Sequence, residues 1–157
     1  MKFLSILIVI SIFFLTGCNN TSHINIESIG ELGNVYEEMN IPTLMITYDT
    51  NNIAIEKGGY SWNTGKEAVT VDAVSPEQIT SKMTGNTVLP QSQLTLNFSS
   101  VPIEVNIIDW SEKGQNTFTL DHYTITTPTE EGTYIYEVIG KWEQGQVSFI
   151  MKLIVSD

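Results

Sequence analysis

From Pro42 onward, apolar and polar residues alternate with a period of two, the pattern that side chains make along a strand. "QLTLNF" (Gln93–Phe98) sets Leu94, Leu96 and Phe98 on one side and Thr95 and Asn97 on the other. "IEVNIIDW" (Ile103–Trp110) follows Pro102 and groups Ile103, Val105 and Ile107. "TYIYEVIGKW" (Thr133–Trp142) opposes Tyr134, Tyr136, Val138 and Trp142 to Ile135, Glu137, Ile139 and Lys141. "VSFIMKLIV" (Val147–Val155) aligns Val147, Phe149, Met151, Leu153 and Val155. Upstream, "TLMITY" (Thr43–Tyr48) and "IAIEKGGYSWN" (Ile53–Asn63) flank the turn-rich "DTNN" and predict a hairpin. "EAVTVDAV" (Glu67–Val74) adds one strand, and "NTFTLDHYTI" (Asn116–Ile125) one or two more.

A single segment breaks the alternation. "SPEQITSKM" (Ser75–Met83) offers Ser as N-cap, Pro at the first helical position and then Glu and Gln, which predicts a helix of about two turns ending before Gly85. About eight short strands in residues 42–157 leave no connection long enough for a βαβ crossover, so the sheets are expected to be antiparallel. The fold class that fits is all-β: an immunoglobulin-like antiparallel β-sandwich with one short helix. A small barrel is the other arrangement of this length.

The first residues follow a different logic. After Lys2, "FLSILIVISIFFL" (Phe3–Leu15) runs 13 residues without a charge, too short for the roughly 20 that span a bilayer and the length of a secretory apolar region. It ends in Leu15-Thr16-Gly17-Cys18, small residues before the only cysteine of the chain. This resembles the bacterial lipobox, which implies cleavage between Gly17 and Cys18 and a diacylglyceryl group on the Cys18 sulfur. Residues 1–17 are then a signal peptide, residues 18–41 a lipidated, polar tether, and residues 42–157 the folded domain. Two acyl chains hold stably where one holds weakly. As a coil the tether would span ~25 Å. With no second cysteine there is neither a disulfide nor a thiolate metal site.

Charge narrows the partners. The chain has 18 Asp and Glu against 7 Lys and no Arg, a net −11, and loss of residues 1–17 removes Lys2 alone. Nucleic-acid binding depends on basic side chains that neutralise phosphates, so that class is excluded. A basic patch docking on anionic lipid is disfavoured for the same reason. The expected partners are the membrane, through the lipid on Cys18, and an envelope protein or polysaccharide.

Catalytic constellations are sparse. "GYSWN" (Gly59–Asn63) approaches G-x-S-x-G, but Asn63 replaces the second Gly and the motif sits in a strand, which argues against Ser61 as a nucleophile. His122 follows Asp121 directly, and neighbours on a strand point to opposite faces, so the pair reads as turn or surface residues. Asp49, Asn51 and Asn52 read as hairpin-turn residues rather than a calcium site, and Glu130-Glu131-Gly132 as a solvated turn. No metal ligand set and no cofactor is expected. The aromatic residues are what remains for binding, with Trp62, Trp110 and Trp142 as candidate ligand contacts and Trp62 also the best candidate for a Trp packed between sheets.

Four stretches, "IEKGGYSWN", "VDAVSPEQI", "QLTLNFSSVPIEVNIIDW" and "EEGTYIYEVIGKW", resemble those of small surface lipoproteins of Bacillus and its relatives. The resemblance implies an immunoglobulin-like domain on the outer face of the membrane of a Gram-positive bacterium, and it carries no catalytic or binding residue. The expected function is a non-enzymatic binding or interaction module of the cell envelope. An inhibitor or accessory subunit of a surface enzyme or transporter is the alternative.

Overall fold

The computed structural model describes residues 39–111, 116–120 and 122–157. Gly17, Cys18, the apolar leader and most of the tether lie outside the described residues, as does Asp121. Eleven strands and one helix follow in order: β1 (Leu44–Tyr48), β2 (Asn51–Ile53), β3 (Ile55–Asn63), β4 (Ala68–Val71), α1 (Pro76–Thr80), β5 (Asn86–Val88), β6 (Gln93–Phe98), β7 (Glu104–Asp109), β8 (Asn116–Thr119), β9 (Thr124–Thr126), β10 (Gly132–Trp142) and β11 (Gly145–Val155).

The strands form two sheets. The smaller has the order β2-β1-β6-β9, and the larger β4-β3-β11-β10-β7-β8, with β5 pairing β11 beyond the end of β3. Every pairing is antiparallel except β5 with β11, which is parallel. The expectation of antiparallel pairing alone is corrected here. No βαβ crossover is needed, because the chain between Val88 and Gly145 builds the other strands before β11 returns beside β5.

The core lies between the sheets. Ile46, Leu94, Leu96 and Ile125 from the smaller sheet meet Val105, Ile107, Val138, Val147, Phe149, Met151 and Leu153 from the larger, all buried in one cluster. The five alternate apolar residues of β11 all point inward, as the period of two requires. Met39 is buried in the same cluster, so the packed body includes residues at least three positions ahead of Pro42. Ile103 departs from its expected place beside Val105. It stands one residue before β7 and is exposed, because the chain is still leaving the Ser99–Pro102 loop there.

Two further departures have local causes. Ile53–Asn63 divides at Ala54, so that β2 completes the hairpin with β1 while β3 crosses to the other sheet. The Asn86 side chain holds this crossing, since its Oδ1 accepts from Ala54 N–H at 2.7 Å and its Nδ2 donates to Ala54 C=O at 3.0 Å. The amide thus takes the place of a partner strand at the gap. The hairpin turn itself is Asp49-Thr50, with Asp49 in the left-handed region at φ 51, which Asp tolerates. Helix α1 is shorter than expected but starts as the sequence requires, with Ser75 as N-cap and Pro76 at its first turn. Lys152 Nζ donates to the last helical carbonyl, Thr80, at 3.4 Å and to that of Met83 in the turn beyond at 3.2 Å. The helix packs on β10 and β11, on the face away from the core.

Candidate functional site

The outer face of the larger sheet is built by an irregularity in β3. The β3–β11 register shifts between Val147, opposite Tyr60, and Phe149, opposite Lys57, so Gly58 and Gly59 share the place opposite Ser148. Such a bulge bends a strand and re-aims neighbouring side chains. A Cβ on Gly58 would lie 2.5 Å from Ser148 Oγ, so the missing side chain is what lets this hydroxyl stand there. Ser148 Oγ donates to Glu137 Oε1 at 2.5 Å, and Trp110 Nε1 donates to Glu137 Oε2 at 3.0 Å. Glu137 reaches the pair because β10 and β11 are in register at Ile139 and Ser148, which puts Glu137 diagonally across from Ser148.

This chain of three side chains joins two depressions. A cleft of about 340 Å³ lies between the sheet and the segment from β4 to α1, lined by Gly58, Ser61, Pro76, Trp110, Glu137 and Ser148 among others. A second, of about 750 Å³, is lined by Glu77, Asp109, Trp110, Glu130, Glu131 and Tyr134 among others. Trp110 lines both and is half-buried. No Lys or Arg lines either depression, whereas the larger has four carboxylates on its wall. Asp109 accepts from the Ser111 backbone N–H at 2.9 Å and from the Ser111 hydroxyl, and Glu131 accepts from the Asp157 N–H at 3.2 Å. Beneath the wall the Tyr136 phenol is pushed well up, first by burial and then by the negative charge of Asp109. An aromatic face flanked by acceptors suits a ligand that offers hydroxyl or ammonium donors. Among the described residues no group of three or more His, Cys, Asp or Glu side chains is placed to hold a metal ion.

The three tryptophans occupy different settings. Trp62 and Trp142 are buried, with 6% and 8% of their surface exposed, whereas Trp110 is half-buried; Trp62 edges a separate depression of about 350 Å³ beside Met39, Pro42 and Ser100. The two buried rings meet edge to face at 5.7 Å. The Trp62 indole donates to Met39 C=O at 3.0 Å and that of Trp142 to Ser100 C=O at 3.1 Å, so both hold chain segments at the same end of the sandwich. Trp62 stands on β3, and its partner is Trp142 rather than the facing sheet alone. Ser61 lines the smaller cleft in mid-strand, opposite Gln146, and His122 is exposed beside β9. Asp49 lies in the β1–β2 turn, Asn51 and Asn52 are exposed on β2, and Glu130 and Glu131 precede β10. Glu137 and Ser148 were not singled out by the sequence pattern. Their signal was the Gly58-Gly59 pair inside a strand, which marks a bulge or a close approach.

The chain matches no protein-family model and no curated protein. No helix among the described residues is long and apolar enough to cross a membrane.

Proposed function

We propose that this protein is a lipid-anchored domain on the outer face of a bacterial cytoplasmic membrane, one that binds an envelope glycan through the Trp110 clefts and carries out no catalysis. The anchor rests on Cys18, which follows an uncharged apolar run and the small residues Thr16-Gly17. The binding role rests on one observation above others: Trp110 is the tryptophan left half-open, and it lines both depressions beside carboxylates. Sugar rings stack on aromatic faces, and their hydroxyl or amino groups donate to carboxylates.

The body is of immunoglobulin type in this reading. Strands β6, β7, β8, β9, β10 and β11 follow the order and sheet membership of strands B, C, C′, E, F and G of that fold. The Tyr134 hydroxyl donates to Glu130 C=O at 2.9 Å, near the start of β10, as a tyrosine corner does.

Two measurements test the proposal. Palmitate fed to expressing cells should label the wild type and leave Cys18→Ala unlabelled. Purified protein should be retained on isolated wall glycan, and Trp110→Ala should lose about tenfold in affinity, the equivalent of ~1.4 kcal/mol. Trp110→Phe, which keeps a ring, should lose less. Equal retention of wild type and Trp110→Ala removes the clefts from the reading.

A further inference from the structure

The chain joins the sandwich at one end. Just after Met39, Thr43 N–H donates to Ser99 Oγ at 2.9 Å, and Ser99 N–H donates to Thr43 C=O at 3.0 Å. The first strand is therefore hydrogen-bonded to the loop between β6 and β7. That loop carries the two most exposed large apolar side chains among the described residues, Val101 at 76% and Ile103 at 71%. Tyr123, at 38%, stands beside them, its hydroxyl 3.4 Å from Pro102 C=O and its ring 5.8 Å from Phe98. The loop is fixed rather than loose, since Ser100 C=O accepts from Trp142 and Ile103 N–H donates to Lys141 C=O at 2.7 Å. The result is a firm apolar knob at the end of the sandwich that holds Met39, the first described residue.

We infer that this knob, Val101 and Ile103 with Tyr123 behind them, rests in the boundary between headgroups and acyl chains of the membrane that holds the lipid anchor. The inference rests on the lipid anchor proposed above. Cys18 lies 21 residues before Met39, so even a fully extended chain keeps this end within ~75 Å of the bilayer. Tethering also turns a weak contact into an intramolecular one, with an effective concentration in the millimolar range for a short linker. The chemistry of the knob fits a lipid surface: two aliphatic side chains at the tip, and a Tyr whose amphipathic ring suits the membrane–water interface. Charge does not drive the contact. The nearby Glu104 is paired with Lys141 at 2.6 Å, and Lys66 on the neighbouring β3–β4 turn is followed by Glu67. A neutral, zwitterionic surface is therefore sufficient.

The test uses the full lipidated protein in phosphatidylcholine vesicles. Because the Cys18 sulfur is tied up in a thioether, a thiol-reactive environment-sensitive fluorophore labels only an introduced cysteine. At Val101→Cys its emission should shift to the blue and be quenched by spin labels in the acyl region. At Thr129→Cys, in the loop between β9 and β10 at the opposite end, neither change should occur. Ile103→Asp should abolish the shift at position 101 while the protein still floats with the vesicles, and Val101→Asp should do the same to a label at Ile103→Cys. Floating protein with equal emission at 101 and 129 overturns the inference and leaves the anchor standing. Protein that stays in solution, with a wild-type Cys18 that takes the label, overturns both. A shift already present without vesicles means that the chain upstream of Met39 covers the knob. A shift that fades as protein is diluted in lipid means that a second copy does. Either result refutes the membrane as its occupant.

Discussion

Gly140 and Trp142 make a steric pair whose energetics follow from their close approach. Gly140 is buried on β10, and a Cβ there would overlap Cη2 and Cζ3 of the Trp142 ring, with Phe98 Cε1 next at 3.3 Å. Gly140→Ala alone should destabilise the fold by ~1–3 kcal/mol, the usual cost of overpacking. Trp142→Phe alone removes the indole bond to Ser100, worth ~1 kcal/mol, and roughly 50 Å² of buried ring, worth ~1.3 kcal/mol. The sum is ~2–3 kcal/mol. Phe has no Cη2 or Cζ3, so the double variant places the new methyl in the space the indole vacated. It should be no less stable than Trp142→Phe, which makes the coupling favourable by ~1–3 kcal/mol, the whole cost of the single Gly140→Ala change. Only the Phe98 contact at 3.3 Å remains to resist the methyl. Urea unfolding of wild type, both singles and the double, followed by circular dichroism, measures the cycle. Each kcal/mol moves the thermal midpoint by ~4 °C in a domain of this size, so a melting series gives a second readout. Additivity within ~0.5 kcal/mol would refute the packing described for this end of the sandwich.

Two pH-dependent outcomes follow from charge and burial. The Tyr136 phenol is held protonated by burial and by Asp109, so its contribution to stability is complete below the unfolded value of about 10 and is lost as the pH rises beyond it. Urea midpoints should fall across that alkaline range in wild type and fall less in Tyr136→Phe; parallel curves contradict the burial. The Glu104 carboxyl is held below its ordinary value of 4.5, first by the hydrogen bond from Lys141, then by the bond from Asn106 and the Lys141 charge. Its contribution is present above that value and is lost as the pH falls below it. A carboxyl-carbon NMR titration should give a midpoint below 4.5 that rises in Lys141→Met and in high salt, with little change in stability because the pair is exposed.

The long strands were legible because alternation and burial coincide in them. β6 begins and ends at the residues the pattern marks, and the five alternate apolar positions of β11 from Val147 to Val155 face the core. What escaped depends on contacts between distant segments. β5 has three residues, too few to show a period, and exists because Leu153–Val155 offer it a free edge. The division at Ala54 is invisible in "NNIAIEK", since the amide that bridges it belongs to Asn86. Composition likewise says nothing about which tryptophan is open. Trp62 and Trp142 are closed off by each other and by Met39 and Ser100, whereas Trp110 stands just past the end of β7, where the sheet no longer covers it. The cluster at Glu137 needs the β10–β11 register and the β3 bulge together, and only the glycine pair announced it.

Strand β7 connects the two surfaces to which roles are assigned. It begins beside Ile103 and ends beside Trp110, and seven residues of extended chain separate these by ~23 Å. The apolar knob and Met39 share one end, while Trp110, Asp109, Glu130 and Glu131 gather toward the other. If the domain rests on Val101 and Ile103, as proposed above, its larger acidic depression faces away from the membrane. In that proposed orientation Asp109, next to Trp110, would stand well beyond the ~8 Å over which exposed charges act at physiological salt. Turning the domain over would bring those carboxylates against the surface and leave the aliphatic tip in water, an outcome that the labels at positions 101 and 129 separate from the proposed one.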